Sequence, residues 1–510
     1  MRVLIRADAS MTIGSGHIAR CLTLANVLRK DGAEVVFACR QLPGHLLQRL
    51  ADQGYVILGL PERYAQEQEQ KQEQEQEQSG ADIETSLAWQ ADIDALADAL
   101  NNQPRFDWLI VDHYGLDARW ERAARRFADR LMAVDDLANR PHAVDLLLDQ
   151  NYSAQAQDRP YDQWLDPRCK TFLGPRFALM RDEFQCEPIT IKPRVERVLV
   201  NFGGFDAARQ VHATMLALQG FDDLQVDFVA GSHNPEWEAM CDLAKARPNW
   251  RLHELVSDFF GLMRQADLFI GAGGGTTWER AALGLPTLCV SVANNQQLNA
   301  QLLAESGVHL YLGGHETLDP QQLVQAIALL RDNRPLRQSF AVRSQAMVDG
   351  RGAQRLAVAL IEPVWALRKA TELDATLLFE GRNAPHVRQW AFNSDLIDWD
   401  SHVAWLQRSL QNPQRLLLIG DTAHGPVGML RYDRQDERVE VSIYLFEGQA
   451  GVGWGQALLR RGERYLRQHW PQVRVIEAQV LADNAVSISL FQKAGYRQAE
   501  CHFQRVINDE

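Results

Sequence analysis

The sequence predicts two doubly wound α/β domains in succession, followed by a smaller α+β domain. Three observations carry this. Short apolar runs alternate with helical patterns twice over before residue 350, as in parallel sheets covered by helices. Glycine-rich stretches stand between strand and helix patterns at 14–16, 271–275 and 448–455. From Leu373 onward the strand patterns become closely spaced, as antiparallel strands are. A chain of 510 residues has room for roughly three domains of about 100–200 residues.

The elements follow in order. A strand at 3–7 leads to a helix with apolar positions Ile18, Leu22, Ala25 and Leu28, ending near Gly32. Strands follow at 34–39, 108–112 and 130–135. The segment 66–78 is almost pure Gln and Glu and offers no apolar face, so it reads as a solvated insertion. The second series has strands at 197–201, 224–230 and 267–270, a helix at 276–283 stopped by Gly284 and Pro286, and a strand at 287–292. A helical pattern at 353–369 bridges to strands at 416–419, 428–432, 439–445 and 475–481, with a helix starting near Asn484. The expected domains are 1–190, 191–365 and 373–508.

Hydrophobic residues make up 46% and charged residues 23% of the chain, the balance of an ordinary globular protein. The net charge of −13 argues against general binding to nucleic acid or anionic membranes. No apolar run reaches membrane-spanning length, and the opening MRVLIRADAS reads as a strand with no signal core, so a cytoplasmic protein is expected. Seven scattered cysteines read as buried thiols, and no acidic metal cluster is evident.

Chemistry concentrates at the three glycine stretches. In Gly14-Ser-Gly16-His17, the loop lets backbone approach a ligand and the helix start favours an anion. His17 at that position reads either as a neutral imidazole able to take a proton from water or as a first-turn histidine with structural contacts alone. Gly271-Ala-Gly-Gly-Gly275-Thr276 reads as a pyrophosphate cradle. Glu279 is either a carboxylate stabilised by the helix dipole or an acceptor for a ribose diol. The run 294–297, with Gln297, follows the next strand and is placed to reach the same crevice.

These stretches, together with Arg6-Ala-Asp8-Ala-Ser, Val111-Asp-His-Tyr114, Asp135-Asp-Leu-Ala-Asn139, Asp149-Gln-Asn151, Leu173-Gly-Pro-Arg176 and Asn201-Phe-Gly-Gly204, resemble the UDP-sugar hydrolases of pseudaminic acid biosynthesis over residues 1–365. The resemblance implies two Rossmann-like domains of glycosyltransferase-B type. It also implies inverting hydrolysis of UDP-2,4-diacetamido-2,4,6-trideoxy-β-L-altrose by water attack at the anomeric carbon, with no metal. His17 is then the catalytic histidine. The substrate residues are Asp8, Gly14, Gly16, Arg20, Tyr114 and Asn151, with Gly204, Gly273, Gly274, Thr276, Glu279 and Gln297 on the second domain. The Gln/Glu insertion departs from that family.

The third stretch opens a helix, and with Asn484 and Lys493 it resembles the GCN5-related N-acetyltransferases over residues 373–508. That resemblance implies acetyl-CoA as cosubstrate, held by Val452, Gly453, Gly455, Asn484 and Lys493. Ala450 stands where that motif has Arg or Gln, and Phe491 stands at the place of its tyrosine general acid. Glu440, one strand earlier, is either a base acting through water or an exposed strand residue paired with Arg438 or its neighbours. The joint expectation is a bifunctional enzyme that N-acetylates a UDP-4-amino-sugar and then releases UDP from the product. A glycosyltransferase carrying a non-catalytic coenzyme A-binding sensor domain is the alternative. The partners expected are these two small molecules, with no nucleic acid or membrane.

Overall fold

A computed structural model describes residues 1–11, 13–61, 88–101, 103–157, 159–203, 206, 208–231, 234–254, 256–361, 365–422 and 425–499. The Gln/Glu insertion, Gly204 and Cys501 lie outside the described residues. The chain divides into two compact units, Met1–Ala357 and Val358–Glu510.

The first unit holds two parallel sheets. One contains β1 (Arg2–Ala7), β2 (Glu34–Arg40), β3 (Val56–Leu60), β4 (Phe106–Asp112), β5 (Ala128–Val134), β6 (Leu146–Asp149) and β7 (Lys170–Leu173), in the order β3-β2-β1-β4-β5-β6-β7. The other contains β8 (Arg197–Asn201), β9 (Gln225–Val229), β10 (Trp250–His253), β11 (Leu268–Gly271), β12 (Thr287–Ser291) and β13 (Leu310–Gly314), in the order β10-β9-β8-β11-β12-β13. Central strands such as β1 and β4 are buried almost end to end, so they read as continuous apolar runs. In each sheet the strand order reverses beside the first strand, between β1 and β4 and between β8 and β11. Ligands of doubly wound sheets sit at the carboxyl ends of strands flanking that reversal. Two of the three glycine stretches lie there.

The second unit is built on β14 (Ala366–Lys369), β15 (Arg415–Thr422), β16 (Gly425–Gln435), β17 (Arg438–Leu445) and β18 (Val475–Glu477), paired in that order. The pairs are antiparallel except β17 with β18. The helix Trp454–His469 covers one face over Leu430, Tyr432, Val439 and Val441. The helices Ala375–Asn383 and Trp399–Gln411 cover the other over Leu417, Ile419 and Met429. Pairing of β17 with β18 stops at Glu440 opposite Glu477, while β17 continues to Leu445. The two strands therefore part beyond Glu440.

Three expectations are corrected. The helix expected over 353–369 is Gly352–Ile361, and 366–369 is the edge strand β14. Pro363 lacks the N–H that a continuing helix needs. The strand expected at 475–481 is three residues long. Of the thiols expected to be buried, Cys21, Cys39 and Cys289 are, whereas Cys169, Cys186 and Cys241 are partly exposed.

Candidate functional site

The helix Gly16–Lys30 starts beyond the carboxyl end of β1, and His17 is its second residue, 6% exposed. Gly14 adopts φ 86°, a left-handed conformation that glycine takes without strain. Open space surrounds Gly16. His17 Nδ1 lies 2.5 Å from Oδ1 of Asp112, the last residue of β4. Arg20, one turn along the helix, donates to both Asp112 oxygens at 2.6 Å and to Asp136 at 3.0 Å. Burial alone would raise the Asp112 carboxyl; Arg20, and then His17, outweigh it and hold it well below the usual carboxylate range. An ionised acceptor at Nδ1 fixes the proton on that nitrogen and turns the lone pair to Nε2. The Tyr114 ring meets the imidazole edge-on at 4.8 Å. Burial, then Asp136, pushes the Tyr114 phenol well up, so it stays neutral.

Asp112 and Asp136 carry this arrangement and were not singled out from the sequence. Their signal was present in the runs Val111-Asp and Asp135-Asp136, at or just past strand ends. Asp8 has a different position from the one expected. It is fully buried, accepts from Arg6 at 2.6 and 2.8 Å and from the Arg40 backbone at 2.8 Å, and so faces no open crevice. Asn151 begins the short helix Tyr152–Ala156, and its N–H is held by Asp149 at 2.9 Å.

On the second sheet, the loop from Gly271 enters the helix Thr276–Leu283. Gly273 is packed, with Ala300, Cys289 and Gln296 at 3.4–3.5 Å from where a Cβ would stand, and Gly274 has Gln296 at 3.6 Å. The open space is at Gly275, just before Thr276. Buried Arg280 donates to Ala272 O and to Thr277 Oγ1, both at 2.9 Å, so a cation backs the loop. Glu279 is partly buried, 3.4 Å from Arg181; burial raises its carboxyl and Arg181 opposes the rise. Gln297 is exposed and bonds Asn294 at 3.2 Å. Its neighbour Asn295 spans the two sheets instead, donating to Tyr114 Oη at 3.4 Å. Ser153 N to Asn299 Oδ1, 3.2 Å, is a second such link. His17 and the 271–276 loop thus belong to opposing sheets joined by these contacts.

In the second unit, the loop after β17 ends at Gly453, with φ 108°, which starts the helix Trp454–His469. The start of this sixteen-residue helix, with no side-chain cap at Gly453, suits a pyrophosphate. Val452 is buried beside it. Gly455 has a packing reason, since a Cβ there would stand 3.1 Å from Leu490. Asn484 is 5% exposed and caps the helix Ala485–Lys493 by accepting from Ser487 N at 3.0 Å; Lys493 is exposed at that helix's end. Phe491 is buried against Tyr496, ring centroids 5.0 Å apart. Arg438 is paired with Glu477 and not with Glu440. Among the described residues no group of three or more His, Cys, Asp or Glu side chains is placed to hold a metal ion, and no helix is long and apolar enough to cross a membrane.

Residues 198–355 match the glycosyltransferase family 28 C-terminal domain, and residues 366–497 match the acetyltransferase (GNAT) domain. Along 312 residues, 60% of this chain, the sequence is 26% identical to the UDP-2,4-diacetamido-2,4,6-trideoxy-beta-L-altropyranose hydrolase of Campylobacter jejuni and covers 97% of it. The chain thus joins a region homologous to that hydrolase to a GNAT domain. It is also 30% identical over 196 residues, 38% of its length, to the spore coat polysaccharide biosynthesis protein SpsG of Bacillus subtilis, of which the match spans only 58%. The crystal structure of the calicheamicin glycosyltransferase CalG4 superimposes with TM-score 0.50 at 17% identity, covering 71% of this chain and 99% of that one. That likeness is one of fold, the glycosyltransferase-B arrangement of two parallel sheets. The GNAT class uses acetyl-CoA as its acetyl donor.

Proposed function

We propose that the first unit hydrolyses a UDP-linked 2,4-diacetamido-2,4,6-trideoxy sugar and that the GNAT domain N-acetylates its 4-amino precursor. The observation that carries the hydrolase reading is the His17–Asp112 couple at the topological switch point of the first sheet, beside Tyr114, which Asn295 of the second sheet contacts. With Nδ1 protonated toward Asp112, Nε2 is the nitrogen that takes a proton from water as the oxygen attacks the anomeric carbon. The anomeric C–O bond breaks, and UDP leaves with the bonding pair. Backbone N–H groups of 274–276, the helix start and Arg280 behind it favour that developing charge. UDP needs little protonation to depart.

For the acetyltransferase reading, backbone from Gly453 into the helix would hold the acetyl-CoA pyrophosphate, with Val452, Asn484 and Lys493 around it. The sugar amine attacks the thioester carbonyl, the C–S bond breaks, the amine loses a proton and the coenzyme A thiolate gains one. Glu440, where β17 and β18 part, is the base through water. Phe491 has no proton to give, so the thiolate leaves without a side-chain acid at that position. The family 28 match favours one other reading, transfer of the sugar to an acceptor other than water. Turnover in H₂¹⁸O separates the two. Label at the sugar C1 hydroxyl is expected. Label in UDP phosphate refutes attack at the anomeric carbon, and a glycoside product refutes the hydrolase.

A further inference from the structure

The sheet face that carries Glu440 also carries Arg431, and Arg382 and Arg388, in and just after the helix Ala375–Asn383 that covers this face, have buried N–H groups without acceptors among the described residues. Arg431 on β16 stands opposite Ser442 on β17 and donates to its Oγ at 3.0 Å. Two residues on, Tyr444 donates its hydroxyl to Leu378 O at 3.2 Å, and Gly381 of that same helix lies against the Tyr444 and Phe446 rings. Arg382 is the next residue. Its Nη2 donates to Asn393 O at 2.7 Å, but its buried Nη1 has no hydrogen-bond partner among the described residues. Arg388 donates from Nη1 to Ser394 O at 3.3 Å, and its buried Nε is unpaired in the same way. Burial lowers the Arg382 guanidinium; Tyr444 opposes this, and the charges of Arg388 and Arg431 lower it further, so each of these two cations lies within range of Arg382. The carboxylate nearby, Asp433, is already shared by Arg415 and Arg431, the latter at 2.8 Å.

Buried N–H groups without acceptors, gathered among like charges, are costly unless an anion completes them. Planar guanidinium forks match phosphate oxygens. The loop that Arg382 and Arg388 hold also exposes Trp390 and Phe392, the latter by 68%. Such rings offer a nucleobase a stacking surface. We infer that Arg382, Arg388 and Arg431 form the diphosphate subsite for the acetyl acceptor, a nucleoside diphosphate-linked amino sugar, with Trp390 and Phe392 flanking its base. Glu440, two residues before Ser442 on the same face, is then the base next to that subsite. The inference rests on the acetylation reading above and adds to it the residues that read the nucleotide.

The test is acetyl transfer by the full chain, followed as initial thiol release, with the UDP-4-amino-sugar and the same amino sugar lacking UDP as alternative acceptors. The wild-type chain should prefer the UDP-linked acceptor, and inorganic pyrophosphate should compete with it. In Arg382→Gln/Arg388→Gln, the preference should fall at least about tenfold through KM for the UDP-linked acceptor. The free sugar's kcat/KM and the KM for acetyl-CoA should hold, and competition by pyrophosphate should weaken. If the substitutions only loosened the loop, both acceptors would suffer alike; an intact preference overturns the subsite. A raised KM for acetyl-CoA would also overturn it, by assigning the arginines to the donor. Wild-type transfer to neither acceptor overturns the acetylation reading, and the subsite falls with it. Wild-type transfer with an unchanged preference in the double variant overturns the subsite alone.

Discussion

At the scale of single residues, the proposed hydrolysis turns on one imidazole, His17, whose Nδ1 lies 2.5 Å from the buried Asp112 carboxylate. His17→Ala should leave UDP affinity and the fold nearly unchanged while lowering UDP-sugar hydrolysis by at least about two decades, the usual scale of general-base loss. Near-normal turnover by a folded His17→Ala chain would refute the base assignment. Asp112→Asn tests the partner. It removes the ionised acceptor from Nδ1 and leaves the Arg20 guanidinium facing a neutral amide. Hydrolysis should fall by about two to four decades, and the melting temperature of the variant should drop as well, because a buried ion pair broken on one side costs about 3–5 kcal/mol. His17→Ala, which keeps the Arg20–Asp112 pair, should melt closer to wild type. Equal losses of stability in the two variants would contradict the separation of roles drawn here.

At the scale of elements, glycine loops do the placing. Gly453→Val forces a β-branched side chain into φ 108° at the position where the proposal has backbone approach pyrophosphate. Isothermal titration should show weaker acetyl-CoA binding, with UDP-sugar hydrolysis retained; unchanged affinity would remove the cradle from the account. A second element has a measurable pH signature. His309, just before β13, donates from Nε2 to Ala300 O at 2.9 Å, and burial, then the Arg280 charge, lowers its pKa to about 4. The unfolded chain takes that proton near pH 6.5, so the stability from keeping the ring neutral is complete above pH 6.5 and is lost as pH falls toward 4, a term of about 3 kcal/mol. In His309→Gln, which keeps a donor for Ala300, melting temperature should depend less on pH across that window; identical pH slopes would contradict it. Much of this architecture was legible in sequence. Strand–glycine–helix punctuation placed β1, β11, β17 and the helices after them, because buried parallel strands are continuous apolar runs and helices start where glycine ends; β8 was placed without the helix Gln210–Leu218 that follows it. The edge and short strands β3, β7 and β10 were not legible, being four or five residues long with mixed exposure. Asp112 escaped for another reason, and within the run 294–297 the contact fell to Asn295 and not Gln297: these roles exist only through contacts with His17, Arg20 and Tyr114 on other elements.

At the scale of the whole molecule, a unit of two facing parallel sheets is continuous in sequence with a GNAT domain, and the proposal joins them as consecutive steps on one nucleotide sugar. The chemistry has an order. In the proposal the acetyl group goes onto the 4-amine while UDP is still attached, which is what an arginine-lined acceptor site would read, and the C–O bond breaks afterwards. One measurement addresses this directly: ¹H and ³¹P NMR of the purified full chain with the UDP-4-amino-sugar, with and without acetyl-CoA. With acetyl-CoA, the N-acetyl resonance should appear first on UDP-linked sugar, followed by free diacetamido sugar of inverted anomeric configuration and UDP in equal amounts; without acetyl-CoA, UDP release should be slow. Release of UDP at the same rate without acetyl-CoA, or no N-acetyl product under either condition, contradicts the account.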